Sequence, residues 1–525
     1  MGPLAALVEC ADLHDAVALH ARLTTAGLPG LVDCVAGAQT VVVRASTPAA
    51  LRRTVTAALA APRGAAGTGG GRVVPIDVVY DGEDLAAVGE LTGLGADGVV
   101  RAHAGQEWTA AFAGFAPGFF YCVGGSGALD VPRRETPRTA VPPGSVALAG
   151  PFSAVYPRRS PGGWQLIGRT AEVMFDIDRA EPALLRSGDR VRYRPVRELV
   201  ELPPRPAAPA PAAAGPHLVV AAPGLQTLVQ DRGRPGSAAL GVAPSGALDD
   251  VAAAAANRLV GNGPDAAVLE NLLGRLTLTA AGDQVLAVTG ARASLDVPGV
   301  PGWRPAHGVP FALRDGEQLV VGAVETGARV YVGVRGGLAV PPVLGSRSAD
   351  TLAGLGPAPL AAGDVLPVGA DPGTAVQAPA PEPRLPAVPS VRVVPGPRDD
   401  WFPPSSLEAF LAQEWELSPD SDRVGARLAG APLERTRTGE LPSEGTVPGS
   451  VQVPPSGLPV VFLRDAPTTG GYPVLGVVHP EDLTVLAQLR PGQRLRFTRC
   501  PAPELGTELD DIEPDTDVPD TSQEP

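Results

Sequence analysis

The chain has 525 residues, 44 % hydrophobic and 19 % charged, enough for about three or four domains of ordinary size with the balance of a soluble globular protein. Its net charge of −14 is concentrated in residues 501–525, which hold nine acidic residues and no basic one, so the remainder lacks the basic stripe that a nucleic-acid partner requires. All 42 basic residues are Arg, and without Lys the chain can form no P-loop, no Schiff base, no site for attached biotin and no Ser-Ser-Lys amidase apparatus.

The first unit, 1–72, reads as a small α+β domain. Apolar spacing predicts a helix over His14 to Thr25, a β-branched strand over Gln39 to Ala45, and a second helix over Thr47 to Ala61 entered through a Thr cap and a Pro. The Gly-rich stretch Pro62 to Gly71 is a turn or linker. A strand is expected at Val73 to Tyr80, then short helices at Asp84 to Leu91 and Ala96 to His103. From Trp108 to Arg194 short apolar runs broken by Pro and Gly suggest a barrel or sandwich, so 73–200 forms a second unit. Residues 201–216 (ELPPRPAAPAPAAAGP) are a Pro/Ala linker.

Residues 217–371 are again β-rich, with one helix from Leu248 to Leu259 introduced by Gly246 and carrying Asp249 in its first turn. A Pro-rich break at 372–390 precedes a β-rich unit at 391–500, and the acidic tail at 501–525 is expected to be disordered. No apolar run approaches the roughly 18 residues of a membrane span, and Met1 to Glu9 has no signal-peptide pattern, which points to a cytoplasmic protein without a membrane partner. Cys10, Cys34, Cys122 and Cys500 show no C-x-x-C spacing, and the six His form no cluster. No metal site is expected.

Three stretches carry more Gly and polar residues than packing demands. In the first, Phe112 to Gly118 (FAGFAPG) is followed by PRRETPR at Pro132 to Arg138 and SPGGWQLIGRT at Ser160 to Thr170. Glycines there let backbone amides approach a ligand, and Arg133, Arg138 and Arg169 suit a carboxylate or phosphate. The second comprises QDRGRPG (Gln230 to Gly236), PSGALDD (Pro244 to Asp250), ANRLVGN (Ala256 to Asn262) and Glu270. Asp231 stands beside Arg232 and Arg234, and Ser245-Gly246 opens a helix. In the third, PTTGGYP (Pro467 to Pro473), Thr468, Thr469, Gly470, Gly471 and Tyr472 form either a hydrogen-bonding loop near Gln452 or a plain Gly-Gly hairpin.

The order HAG…GFAPGF…PRRETPR…VPPGSVALAG…YP…SPGGWQLIGRT resembles the family of the 5-oxoprolinase B subunit, which includes proteins described as allophanate hydrolase subunit 1 or kinase-inhibitor-like. By it Phe115, Pro117, Gly118, Arg133, Pro137, Arg138, Gly144, Ser145, Tyr156, Ser160, Gly162, Gly163, Trp164 and Arg169 fall at motif positions. His103 reads as a structural imidazole or a base. The pattern departs from the family at FYCVGGSG and at Ser153 to Val155. The second and third stretches, with YVGVRGGLAVPPVLGSRS, SDRVGARL and GSVQVPPSGLPV, resemble the C subunit, the allophanate hydrolase subunit 2 family, with Ala349 where a Thr is usual. Both belong to the carboxyltransferase-domain relatives.

The resemblance implies a mainly β protein with α+β character, in which a small N-terminal α+β domain precedes three cyclophilin-like β-barrel domains. It also implies the fused B and C subunits of an ATP-dependent 5-oxoprolinase, which would use ATP with magnesium as counter-ion to open a small cyclic amide in concert with a separate A subunit. Association between copies of the chain stays open. The implied proton carriers are His103, Asp231 and Glu270. The implied binding residues are Phe115, Pro117, Gly118, Arg133, Arg138, Ser145, Ser160, Gly162, Gly163, Trp164 and Arg169 in the first half. Those in the second are Arg232, Arg234, Ser245, Gly246, Asn257, Arg347, Gln452 and Thr468 to Tyr472. Two other readings are the carboxyltransferase component of a biotin-dependent urea carboxylase and a regulator of a sensor histidine kinase.

Overall fold

The run TVVVRA at Thr40–Ala45 is apolar at nearly every position, the pattern of a strand covered on both faces. In the computed structural model, which describes residues 1–62, 71–200, 215–299, 303–378, 385–439 and 441–501, both covers are present. Thr40–Ala45 is central in an antiparallel sheet between Ala5–Glu9 and Leu31–Ala36. Helices α1 (Leu13–Thr25) and α2 (Pro48–Ala60) pack Leu19, Leu23 and Leu51 against Val41 and Val43 on one face. On the other, Ala5 and Val42 meet Val447, Val474 and Val477 from the far end of the chain. Asp12 caps α1 by accepting from Asp15 N–H at 2.9 Å, and Thr47 caps α2 by accepting from Ala50 N–H at 3.1 Å. The two flanking strands were not expected, since five or six residues display too little of a period.

Seven strands between Val73 and Pro195 form the next sheet. Its end strands, Gln165–Arg169 and Val73–Val78, are joined by a bridge in which Val79 and Arg169 exchange N–H···O bonds at 2.9 Å. Helices α3 (Leu85–Thr92) and α4 (Gly95–Ala104) precede the strand Trp108–Ala113.

The third sheet has eight strands and is branched, with the long strands Gln284–Asp296 and Gln318–Val334 paired along most of their length. Helix α5 (Asp250–Leu259) crosses them, and Thr289 Oγ1 donates to Ala252 O at 2.7 Å. It starts later than expected because the Asp249 carboxylate accepts from Ala252 N–H at 2.9 Å and so acts as its cap.

The last sheet is a closed seven-stranded barrel carrying α6 (Pro404–Ala412) and α7 (Leu483–Gln488). It repeats the plan of the Val73–Pro195 unit. In each, the first and last strands pair in parallel, Val73–Val78 with Arg190–Pro195 and Ser390–Pro395 with Arg494–Arg499. In each, a Trp indole donates to the carbonyl five residues earlier: Trp108 to His103 at 2.9 Å, Trp415 to Phe410 at 3.0 Å. The His103 ring lies 4.3 Å from Tyr193, and that of Phe410 lies 4.5 Å from Phe497. His103 thus occupies a core position that the other barrel fills with Phe.

No helix among the described residues is long and apolar enough to cross a membrane. The expected linker at 201–216 and the tail at 501–525 lie almost entirely outside the described residues, as do 63–70 and 379–384.

Candidate functional site

The motif-bearing loops of the two halves meet. Between strands Trp108–Ala113 and Phe120–Gly124 the chain turns through Phe115 at φ 65°, a conformation that a bulky residue rarely adopts. Its N–H donates to Thr469 Oγ1 at 3.0 Å, and its ring meets those of Phe119 and Tyr156 edge to face. Gly114 is required here, because a Cβ at that position would lie 2.2 Å from Thr469 Oγ1. Pro117 and Gly118 continue the turn, and Gly118 N–H donates across the seam to Leu240 O at 3.1 Å.

Behind this loop lies an aromatic wall in which Phe119 and Tyr121 meet Trp164 edge to face. Gly162 passes so close to Tyr156 that a Cβ would fall 2.3 Å from its hydroxyl, and burial pushes the Tyr156 phenol well above its ordinary range. A Cβ on Gly471, from the other half, would stand 3.6 Å from the Arg133 guanidinium. Thr469-Gly470 pairs with Glu444-Gly445, and Gln452 Nε2 donates to Tyr472 O at 3.2 Å. Thr468 is buried, and its hydroxyl has no hydrogen-bond partner among the described residues. Phe115, Arg133, Gly162, Gln452 and Thr468 to Tyr472 therefore form one constellation drawn from both halves.

Other expected residues make local contacts of their own. Arg138 donates to Asp84 at 2.9 Å, as Arg134 does at 2.6 Å. Burial raises the Asp84 carboxyl, but hydrogen bonds from Arg138 and the Leu166 N–H outweigh it and hold the group below its ordinary range. Arg169 pairs with Asp81 at 2.9 Å, half-exposed, and Arg232 pairs with Asp265 at the surface. Ser145 donates to Pro142 O and Ser160 to Arg158 O, both local turns, while Gly163 lies by Pro137. Asn257 pins the end of α5 by donating to Ala266 O at 2.8 Å.

The three expected proton carriers are fully engaged. His103 is wholly buried, with Nδ1 2.8 Å from Tyr80 Oη and Nε2 2.8 Å from Ser153 Oγ. Burial lowers its pKa to about 3, so it is a neutral core imidazole. Asp231 accepts from Gly233 N–H, Arg347 N–H and the hydroxyls of Ser346 and Ser348. Glu270 accepts from Leu248 N–H at 2.9 Å and Tyr331 Oη at 2.8 Å, and pairs with Arg423. These contacts tie both carboxylates into the surrounding backbone and side chains.

The carboxylate that stands out is Asp350, two residues past the end of YVGVRGGLAVPPVLGSRS. It lies buried beside Ser245 and Asp465, and burial first, then Asp465, push its pKa up to about 6 against the pull of Arg234. Arg234 is almost fully buried, donates to the carbonyls of Ser348 and Val343, and keeps Nη1 without a partner among the described residues. Ser245, at φ 51°, donates its N–H to Arg464 O at 3.0 Å, and Gly246 O accepts from Arg423 at 2.6 Å. Asp465 accepts from Thr351 and Arg423 and stands three residues before Thr468, linking this buried cluster to the seam loop. Arg423 lies in SDRVGARL and Asp465 stands just before PTTGGYP, so proximity to those motifs was the available signal.

This fold, with its two-part site, defines the class. Residues 2–185 match the family described as carboxyltransferase domain, subdomain C and D, and residues 240–499 match carboxyltransferase domain, subdomain A and B. The chain belongs to this carboxyltransferase-domain family and carries both parts on one polypeptide. Its second half is similar to the C subunit of 5-oxoprolinase from Escherichia coli (strain K12), with 40 % identity over 283 residues covering 53 % of this chain and 89 % of that protein. The first half is similar to the B subunit of 5-oxoprolinase from Escherichia coli O157:H7, with 48 % identity over 130 residues covering 24 % of this chain and 60 % of that protein. Over nearly its whole length the chain resembles the crystal structure of TTHA0988, at 36 % identity and a TM-score of 0.84, covering 94 % of this chain and 99 % of that one. The polypeptide is thus a fusion of counterparts of the B and C subunits.

Proposed function

We propose that this chain is the B–C component of a cytoplasmic, ATP-dependent 5-oxoprolinase that opens 5-oxoproline to glutamate together with a separate A subunit. The observation that carries the reading is the hydrogen bond from Phe115 N–H to Thr469 Oγ1, because it brings the motif loops of the B and C counterparts into one site. ATP supplies the phosphoryl group that activates the lactam oxygen, so that water can add at the ring carbon and the C–N bond can open. With no P-loop lysine, the chain's means of holding phosphate are guanidinium groups and backbone N–H donors, which the seam offers in Arg133 and the Gly470-Gly471 turn. Arg133 holds an anionic group, and Asp350, with a pKa of about 6, takes the role of proton carrier.

The test is to mix the purified chain with the A subunit of a 5-oxoprolinase, ATP, magnesium and 5-oxoproline. Release of ADP and glutamate in equal amounts is expected, and no turnover by the mixture overturns the assignment. Within an active mixture, Arg133→Ala should lower kcat by about 100-fold or more, the scale of losing one charged donor in a preorganised site.

A further inference from the structure

A second cleft lies away from the seam. One wall is α5 with the strands Gln284–Asp296 and Gln318–Val334, and the other is α7 with Leu385–Ala387 and Gln493. Its volume of about 700 Å³ falls within the roughly 300–1,000 Å³ of pockets that hold drug-sized ligands. No residue of the seam constellation lines it.

Small residues, among them Ala252, Ala255, Gly290 and Gly327, line the cleft. The charge is one-sided. Arg258, Arg292 and Arg490 line the cleft against a single carboxylate, Asp249. That carboxylate is already committed, capping α5 and accepting from Gln488 Nε2 at 2.8 Å, and burial pushes it up toward its neutral form. Arg490 donates to the carbonyls of Val324 and Glu325, and the Arg258 side chain has no partner among the described residues. The cations stand at two ends. Arg490 lies two residues beyond Gln488, at the Asp249 end of α5, whereas Arg258 is in the last turn, roughly 13 Å further on at 1.5 Å per residue. Arg292, paired in register with Thr326, belongs to the Arg490 end.

A small monocarboxylate would leave most of this volume to water and most of the charge unmatched. We propose that the cleft binds an elongated phosphorylated small molecule of nucleotide dimensions, with its phosphate groups held by guanidinium groups of Arg258, Arg292 and Arg490. Guanidinium forks fit phosphate oxygens in bidentate fashion.

The experiment is calorimetric titration of the full chain with ADP and, separately, with inorganic pyrophosphate. With the seam guanidinium removed by Arg133→Ala, saturable ADP binding is expected, weakened at least tenfold by adding Arg258→Ala or Arg490→Ala and abolished by adding Ala255→Phe, which fills the cleft. Each variant's Tm is measured alongside, and Arg258→Lys, which keeps the charge, should retain affinity within about threefold if the loss in Arg258→Ala reflects binding. Pyrophosphate binding as tightly as ADP would support recognition of phosphate alone, and tighter ADP binding would add a contribution from the nucleoside. Binding of neither probe at millimolar concentration overturns the proposal, as does binding unchanged in all three cleft variants or lost only on Arg133→Ala at the seam. The outcome separates from that of the activity test, since ADP binding without turnover removes the 5-oxoprolinase reading and keeps the cleft, and the reverse removes the cleft alone.

Discussion

Phe115 shows how much the seam depends on single contacts. Holding a non-glycine residue at positive φ costs of order 1–3 kcal/mol, and the donor bond to Thr469 with the edge contacts to Phe119 and Tyr156 offset that strain. Thr469→Val removes the acceptor while keeping the shape, so a loss of about 1–3 kcal/mol is expected in chemical denaturation, with a fall in turnover. Two titrating residues give opposite pH signatures. The folded-state pKa of His103, at about 3, is below that of an ordinary His, so the unfolded chain binds its proton first and stability falls as pH drops below about 6.5. The folded-state pKa of Asp350, at about 6, is above its ordinary 3.8, so its contribution favours folding at low pH and is lost as pH rises from about 4 to 6. Tm measured from pH 4 to 7 should show His103→Phe without the first loss and Asp350→Asn without the second; unchanged profiles would contradict these environments.

Among the elements, the glycines of the meeting loops set the spacing between the halves. A Cβ at Gly114 would lie 2.2 Å from Thr469 Oγ1, and one at Gly470 2.3 Å from Gln452 Nε2. Gly114→Ala is therefore expected to displace the Phe115 loop, lowering Tm by several degrees and activity at least tenfold. Gly125→Ala, with nothing within 4 Å of its Cβ, should leave Tm within a degree or two of the parent. These loops were legible in the sequence because Gly, Pro and polar residues crowd into a few positions, as in FAGFAPG and PTTGGYP. Helix α2 was legible for a similar reason, its start being marked by Thr47-Pro48, whereas α1 was legible from its apolar spacing and its Asp12 cap emerged only in the structure. Asp350, Arg423 and Asp465 were not, since a carboxylate's burial and its neighbours depend on contacts between strands far apart in the chain. His103 was readable in two ways, and only the matching position of Phe410 in the second barrel shows why a core residue belongs there.

For the whole molecule, the joint between the two units of the second half is a buried ion network. Arg423, 2 % exposed, pairs with Glu270 from one unit and with Asp465, 0 % exposed, from its own. Arg423→Met would strand two buried carboxylates, and a loss of about 3–5 kcal/mol is expected in equilibrium denaturation. Replacing Glu270, Arg423 and Asp465 together by apolar residues should cost less than the single change, a comparison that separates the penalty of unpaired charge from packing. The first unit is tied on separately, with Arg398 bonded to Glu9 at 2.7 Å and Gly236 N–H to Asp33 at 2.8 Å.

The packing of Val42 against Val447, Val474 and Val477 has a consequence for biosynthesis. The N-terminal sheet leaves the ribosome with one apolar face whose cover has not been translated. At about 5–20 residues per second, that face waits roughly 20–90 s for its partner strands. During that interval the nascent chain displays an adhesive surface, which makes this one sheet the point where slow elongation or premature termination would divert the polypeptide into aggregates or chaperone custody.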